Sequence, residues 1–257
     1  MRKFRFAKTD KTTLRNKVPL YERMVITMPK TILAVGAHIG DMELTAGGVL
    51  ATAALSGAKI VTLALTAGER GNPPGTSVED YRIQKEREAN EFVKWLGGEA
   101  VVFPYRDGEL PDNDEAAFKL CDEIRRLKPD KLITHWKNSM HVDHAAAHRI
   151  TLRAQFYAGL ASIERSLPRH YADGPYYAEN WEDTEAFTPY IYAEVSEEGY
   201  KLWEKAINCH WFALNSKSFR YKEYYSHLKR VRGLYAGKEY AECFQIDAYK
   251  QRVTTQF

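Results

Sequence analysis

Four apolar runs, Thr31–Ala37, Lys59–Thr66, Glu99–Tyr105 and Lys131–Trp136, alternate with helical patterns through the first half of the chain. That alternation limits the fold more than any other feature. The second run, Lys-Ile-Val-Thr-Leu-Ala-Leu-Thr, lacks a polar face, as expected of a strand covered on both sides of a parallel sheet. Helices are predicted over Glu43–Ser56, closed by Gly57, and over Val78–Leu96, with an apolar stripe through Ile83, Ala89, Phe92, Val93 and Leu96. A third runs from a cap at Asp112 or Asn113 through Leu127 and is stopped by Pro129. Strand–helix units in series with right-handed crossovers predict an α/β fold, a Rossmann-like three-layer sandwich with a mainly parallel sheet.

The turn-rich stretch Ala67–Thr76 reads as a loop. Ser166–Pro189, rich in Pro, Gly, Tyr and acidic residues, reads as a long loop, followed by a strand at Tyr190–Val195 and helices over Glu197–Phe212 and Phe219–Tyr235. One domain over 31–257 is expected, with an aromatic-rich C-terminal part over 166–257 and a basic N-terminal arm over 1–30. Residues 1–24 hold eight Lys/Arg against Asp10 and Glu22, so the rest of the chain is net acidic although the whole carries +3. Phe4 and Phe6 lie among those charges but form no extended stacking platform for bases, and nucleic acid is not expected as a partner.

No G-x-G-x-x-G follows the first strand and no G-x-x-x-x-G-K-[ST] occurs, which disfavours nucleotide chemistry. No apolar run reaches the roughly 18–20 residues that span a bilayer, and the charged start has no secretory apolar region behind it. Cys121, Cys209 and Cys243, odd in number and widely spaced, read as reduced thiols, and a cytoplasmic location is expected.

Two polar clusters follow apolar strands: Ala37-His38-Ile39-Gly40-Asp41-Met42-Glu43, with Gly47-Gly48 beyond it, and His141-Val142-Asp143-His144. Taken alone, His38 is an ordinary turn histidine, and His144 with His148 one turn on is a solvated helix face. Taken together, both at the carboxyl ends of strands where open α/β sheets bind ligands, they predict a metal site. Catalytic zinc sites use three nitrogen or oxygen ligands and leave a fourth place open. His38, Asp41 and one histidine of the second cluster supply that number, and Asp143 could orient a ring.

On these residues the chain resembles the LmbE/PIG-L family of zinc-dependent de-N-acetylases. The family's A-H-P-D-D-x-E and H-P-D-H motifs correspond to residues 37–43 and 141–144. Leu65–Gly71, Asp107–Leu110 and Gly237–Phe244 are similar to its L-T-x-G-E-x-G, D-G-x-L and G-x-x-Y-A-E-x-F segments. The resemblance implies metal ligands His38, Asp41 and His144. It makes His141 the residue that stabilises the tetrahedral intermediate or protonates the leaving amine, with Asp143 to orient it. It further points to Glu69, to Lys85 at the position of a family arginine, to Arg82 one turn earlier as a substitute, and to His210 as substrate-side residues.

The departures carry chemical weight. Gly40 stands where the family has its general-base aspartate, and general-base help is worth typically ~10²–10⁴-fold. Three outcomes stand open. Glu43, Glu69 or Asp143 serves instead, the metal supports another reaction, or only binding remains. Lys85 lacks arginine's planar fork, and Met140 predicts a more apolar pocket mouth. The expectation is a Zn2+-dependent (or other divalent-metal) hydrolase of de-N-acetylase type acting on a small N-acyl, sugar-like substrate and assembled as a homo-oligomer. Its alternative is a metal- or ligand-binding pseudoenzyme.

Overall fold

The computed structural model describes residues 31–248, so the basic arm expected over 1–30 lies outside the described residues. The elements in order are β1 (Thr31–Gly36), α1 (Asp41–Thr45), α2 (Gly47–Leu55), β2 (Lys59–Thr66), α3 (Val78–Trp95), β3 (Glu99–Tyr105), α4 (Asp114–Leu127) and β4 (Lys131–His135). Then come α5 (Val142–Gly159), β5 (Asp173–Ala178), β6 (Ile191–Val195), α6 (Glu197–Ala206), α7 (Trp211–Asn215), α8 (Tyr221–Ala236) and β7 (Tyr240–Gln245).

The strands form one sheet in the order β3-β2-β1-β4-β5-β7-β6. The first five run parallel, while β7 pairs antiparallel with both β5 and β6. Both faces are covered, which is why the inner strands are apolar throughout. On β1, Ile32 and Ala34 pack with Phe92, Ile133 and Trp203 on one side. Leu33 and Val35 pack with Leu120, Ile124 and Ile150 on the other, the period of two that a pleated strand imposes. Because β2 and β3 extend the sheet from one edge of β1 and β4 starts the other side, the strand order reverses between β1 and β4. A crevice opens there at their carboxyl ends.

Several expectations are corrected. The helix expected over Glu43–Ser56 is two, broken at Ala46. The break gives the second helix its own N-terminus, whose Gly48 and Val49 amides donate to the Glu242 carboxylate on β7 at 2.9 and 2.7 Å, satisfying donors that a helix start leaves unpaired. The Gly47-Gly48 pair is a packing requirement of that start. A Cβ on Gly47 would lie 2.4 Å from the Trp203 ring, and one on Gly48 2.9 Å from Val195. Asn113, rather than Asp112, caps α4 by accepting from the Ala116 amide.

The loop expected over Ser166–Pro189 contains β5, which extends the parallel sheet beside β4. Its opening Asp-Gly-Pro hid it, since Gly and Pro mark turns in isolation. The helix expected over Glu197–Phe212 ends at Ala206, and a 3₁₀ turn, Ile207–Cys209, redirects the chain into α7. The segment similar to G-x-x-Y-A-E-x-F is the strand β7, whose pairing makes the far end of the sheet antiparallel. Among the described residues no helix is long and apolar enough to cross a membrane.

Candidate metal centre

The crevice between β1 and β4 gathers both polar clusters. His38 follows β1. Asp41 begins α1. His141 caps α5 by accepting from the Asp143 amide at Nδ1 (3.2 Å), and His144 lies in the first turn of that helix. Asp41 Oδ2 lies 3.3 Å from His38 Nδ1 and 3.6 Å from His144 Nε2. One donor atom each from His38, His141 and His144 fall within 4.8 Å of one another, and so do those of Asp41, His135 and His144.

The far nitrogens of His38, His135 and His144 are anchored on carboxylates. His38 Nε2 faces Asp107 Oδ1 at 3.1 Å and Asp143 Oδ2 at 3.3 Å. His144 Nδ1 faces Asp183 Oδ1 at 3.0 Å, and the other oxygen of Asp183 takes His135 Nδ1 at 3.0 Å. An imidazole with one nitrogen inward and the other held by a carboxylate is the arrangement that fixes metal-ligating histidines. The expected set of His38, Asp41 and His144 is thus divided between two groups, with His38, Asp107 and Asp143 forming a third; two imidazoles and a carboxylate, as in Asp41, His135 and His144, are a borderline-soft nitrogen–oxygen donor set that suits zinc and related divalent ions. The residues therefore fit the group.

Electrostatics follow the same geometry. Burial opposes the charge on Asp41, but His144, His38 and His135 outweigh it and hold the carboxyl well below its usual range. Burial likewise opposes charge on His38, and Asp41, Asp107 and Asp143 more than compensate, raising its pKa well above that of free imidazole. His141 is lowered, first by burial and then by His38 and His144. With Nδ1 accepting from an amide, neutral His141 carries its proton on Nε2.

A groove of about 810 Å³ runs past this centre, lined by His38, Asp41, His141 and His144, by the aromatic rings of Tyr81, Trp181, Trp211, Phe212 and Tyr221, and by Lys85 and Glu182. Lys85 is 5% exposed. Burial lowers its pKa, an effect opposed by Asp41 and Glu88. Glu182 Oε2 lies 3.8 Å from His144 Nε2, and burial followed by repulsion from Asp41 raises its pKa.

The space of the missing carboxylate is filled. Gly40 adopts φ +106°, and a Cβ there would lie 2.4 Å from Phe212 Cζ. None of the three substitutes considered from sequence offers a free carboxylate to the groove. Glu43 is buried and accepts from the Gly40 amide. Glu69 is buried, accepts from the Asp107 amide and sits beside Arg82. Asp143 accepts from the Gly108 and Leu110 amides and reaches His38, so its carboxylate orients that ring and not His141.

Other placements differ from expectation as well. Arg82 is engaged with the Phe103 and Tyr105 carbonyls and Glu86, so Lys85 alone of that pair lines the groove. His210 is fully buried behind Phe212, against Phe92, and neither ring nitrogen has a hydrogen-bond partner. Met140 is exposed and does not line the groove. His144 and His148 point inward, the latter bonded to the His135 carbonyl, so the solvated-face alternative does not hold. His135, Asp183 and Glu182 were not identified from sequence. His135 at the end of β4 carried a positional signal, whereas the other two sit in a loop with none.

Residues 33–155 match the model of a family described as GlcNAc-PI de-N-acetylase (PIG-L). A 1D-myo-inositol 2-acetamido-2-deoxy-alpha-D-glucopyranoside deacetylase of Nakamurella multipartita is 31% identical over 166 residues, 51% of this chain and 56% of that protein. The chain thus spans little more than half the length of that relative. A 4-oxalmesaconate hydratase of Pseudomonas putida is 27% identical over 206 residues, 73% of this chain and 76% of its own length. Among solved structures, the conserved protein TT1542 from Thermus thermophilus superposes with a TM-score of 0.72 at 28% identity, covering 88% of this chain and 98% of that one.

Proposed function

Because residues 33–155 place this chain in the LmbE/PIG-L family, we propose that it is a zinc-dependent hydrolase that removes an acyl group from a small, sugar-like N-acyl substrate. One observation supports this reading above the others. His38 and His144 each turn one nitrogen toward Asp41 and rest the other on a buried carboxylate. His38, Asp41 and His144 would hold the ion, which supplies Lewis acidity and a water of lowered pKa when bound.

The chain's own residues do the rest. The aromatic wall of the groove seats the substrate's apolar faces and excludes water. His141 Nε2–H donates a hydrogen bond to the oxygen that gains negative charge at the acyl carbon, and the proton taken from the attacking water by the base passes on to the departing amine. Asp107 and Asp143 hold His38, and Asp183 holds His144. With Gly40 unable to take a proton, Glu182 Oε2 is the groove carboxylate beside the centre that can. Its raised pKa brings it closer to the range useful for a base at neutral pH.

A second reading is favoured by the Phe212 ring over Gly40. The centre binds and polarises a ligand without cleaving an amide, either as a pseudoenzyme or, like the Pseudomonas putida relative's named activity, for addition of water. The test is metal analysis of protein purified without chelator, followed by acetate release from N-acetylglucosamine derivatives by wild type, His144→Ala and Glu182→Gln. Stoichiometric zinc with release abolished by both variants supports the hydrolase. Stoichiometric zinc with no release from any derivative favours the second reading, and absence of bound metal overturns both.

A further inference from the structure

Among the described residues three tyrosines line the groove, and one differs from the other two. The Tyr225 hydroxyl accepts from the Trp181 amide at 3.4 Å and donates to Asn180 Oδ1 at 3.1 Å. The hydroxyls of Tyr81 and Tyr221 have no hydrogen-bond partner among the described residues. Buried phenols usually find one, and Tyr81 is only 1% exposed. Its oxygen is not one of the sealed, unsatisfied atoms of the interior, so the hydroxyl itself opens on the groove.

The two free hydroxyls belong to one wall. It starts at Tyr81 on α3 and passes the Lys85 ammonium, which is 5.8 Å from the Tyr81 ring centroid and 4.5 Å from that of Phe212. It ends at Tyr221, the first residue of α8, whose ring centroid lies 5.2 Å from that of Phe212. Phe212 abuts Gly40, the neighbour of Asp41, so the wall runs along the side of the histidine centre. Both phenols keep their protons. Burial raises Tyr81, with Glu88 and Tyr221 adding to it, and burial followed by Glu182 and Asp41 pushes Tyr221 up to about 12. The carboxylates beside Tyr221 repel an anion, and Lys85 beside Tyr81 repels a cation. A phenol donates one hydrogen bond and also accepts. A carbonyl only accepts and an ammonium only donates, whereas a neutral hydroxyl does both from one atom.

We infer that Tyr81 and Tyr221 select a substrate bearing an uncharged hydroxyl on the ring that carries the acylamino group, one phenol donating to that hydroxyl and the other accepting from it. The inference rests on the reading of the groove as the substrate site, and it assigns specificity to two residues outside both histidine motifs.

The test uses the full chain, loaded with zinc, and calorimetric titration of matched probes. These are N-acetylglucosamine against its 3-deoxy and 4-deoxy analogues, and trans-2-acetamidocyclohexanol against N-cyclohexylacetamide. In at least one pair the hydroxylated member should bind about tenfold more tightly, the scale of one or two neutral hydrogen bonds. Tyr81→Phe and Tyr221→Phe should each shrink that preference. The double variant should bring it within about twofold by weakening the hydroxylated member alone, and Tm should not fall, because no hydrogen bond within the protein is lost. The inference is overturned if no pair discriminates in the wild type, a comparison that stands whether or not the variants fold. It is equally overturned if the preference survives in the double variant, or if both members of the pair weaken alike, as they would were the phenols only structural. Hydroxyl-dependent binding through these tyrosines without acetate release would sink the hydrolase reading and leave the inference standing. Acetate release at rates indifferent to the hydroxyl and to both tyrosines would do the reverse.

Discussion

Phe212 stands against Gly40 so closely that the α-carbon can carry nothing, since a Cβ would meet the ring at 2.4 Å with the backbone at φ +106°. Restoring an aspartate by Gly40→Asp alone therefore adds left-handed strain to overpacking and should destabilise the protein by about 2–5 kcal/mol. Phe212→Ala made together with it should relieve the overpacking but leave the backbone strain at φ +106°. Urea denaturation of the single and double variants measures the coupling. Acetate release from the double variant shows whether the restored carboxylate works as a base.

Asp183 holds two imidazoles at once, His135 and His144. Asp183→Asn keeps the shape but can no longer accept from both rings, so metal affinity should fall about 10–100-fold with little change in fold. Competition against a chromogenic chelator measures this directly. Stripping the metal from wild type should lower Tm, and reloading should restore it, since an ion held at a thousand times its Kd stabilises by about 4 kcal/mol.

Lys229 and Glu242 form a buried pair that also ties down the start of α2. Lys229→Met should cost about 3 kcal/mol because it leaves the Glu242 carboxylate without its cation. Equilibrium unfolding checks this, and a loss under about 1 kcal/mol would show that the two helix amides suffice.

Burial pushes the Cys243 thiol up to about 12 and also raises Cys121. Both should resist alkylation at pH 8 in the native protein and react once it is unfolded, because the thiolate is the nucleophile. The linkage has a definite sign. An acid whose folded pKa is raised stabilises fully below its unfolded value, about 8.5. That stability is lost as pH climbs from there toward 12. Unfolding free energy measured between about pH 8 and 10.5 should fall, and Cys243→Ala should flatten the decline.

The sequence disclosed what local pattern controls. Lys59–Thr66 reads as a covered strand because its own residues lack a polar face. His38, Asp41 and His144 were singled out because two short motifs carry them to strand ends, and the structure sets both histidines within 3.6 Å of Asp41 Oδ2. What stayed hidden depends on contacts between distant segments. Asp183 and Glu182 reach the centre from a loop with no periodicity. Phe212 reaches Gly40 only because the helix expected through residue 212 breaks at Ile207–Cys209. Arg82 and Lys85 look interchangeable one turn apart, and only the carbonyls of β3 reveal that Arg82 is already taken.

The Glu242 cap makes the beginning and the end of the described chain mutually dependent. The match to the family model stops at residue 155, yet α2 inside it starts on a carboxylate contributed from residue 242, and Gly47 packs on Trp203. Excised at 155, that half would expose a bare sheet edge along β4 and an unsatisfied helix start beside the candidate centre. The C-terminal third thus braces the centre through Glu242 and Trp203.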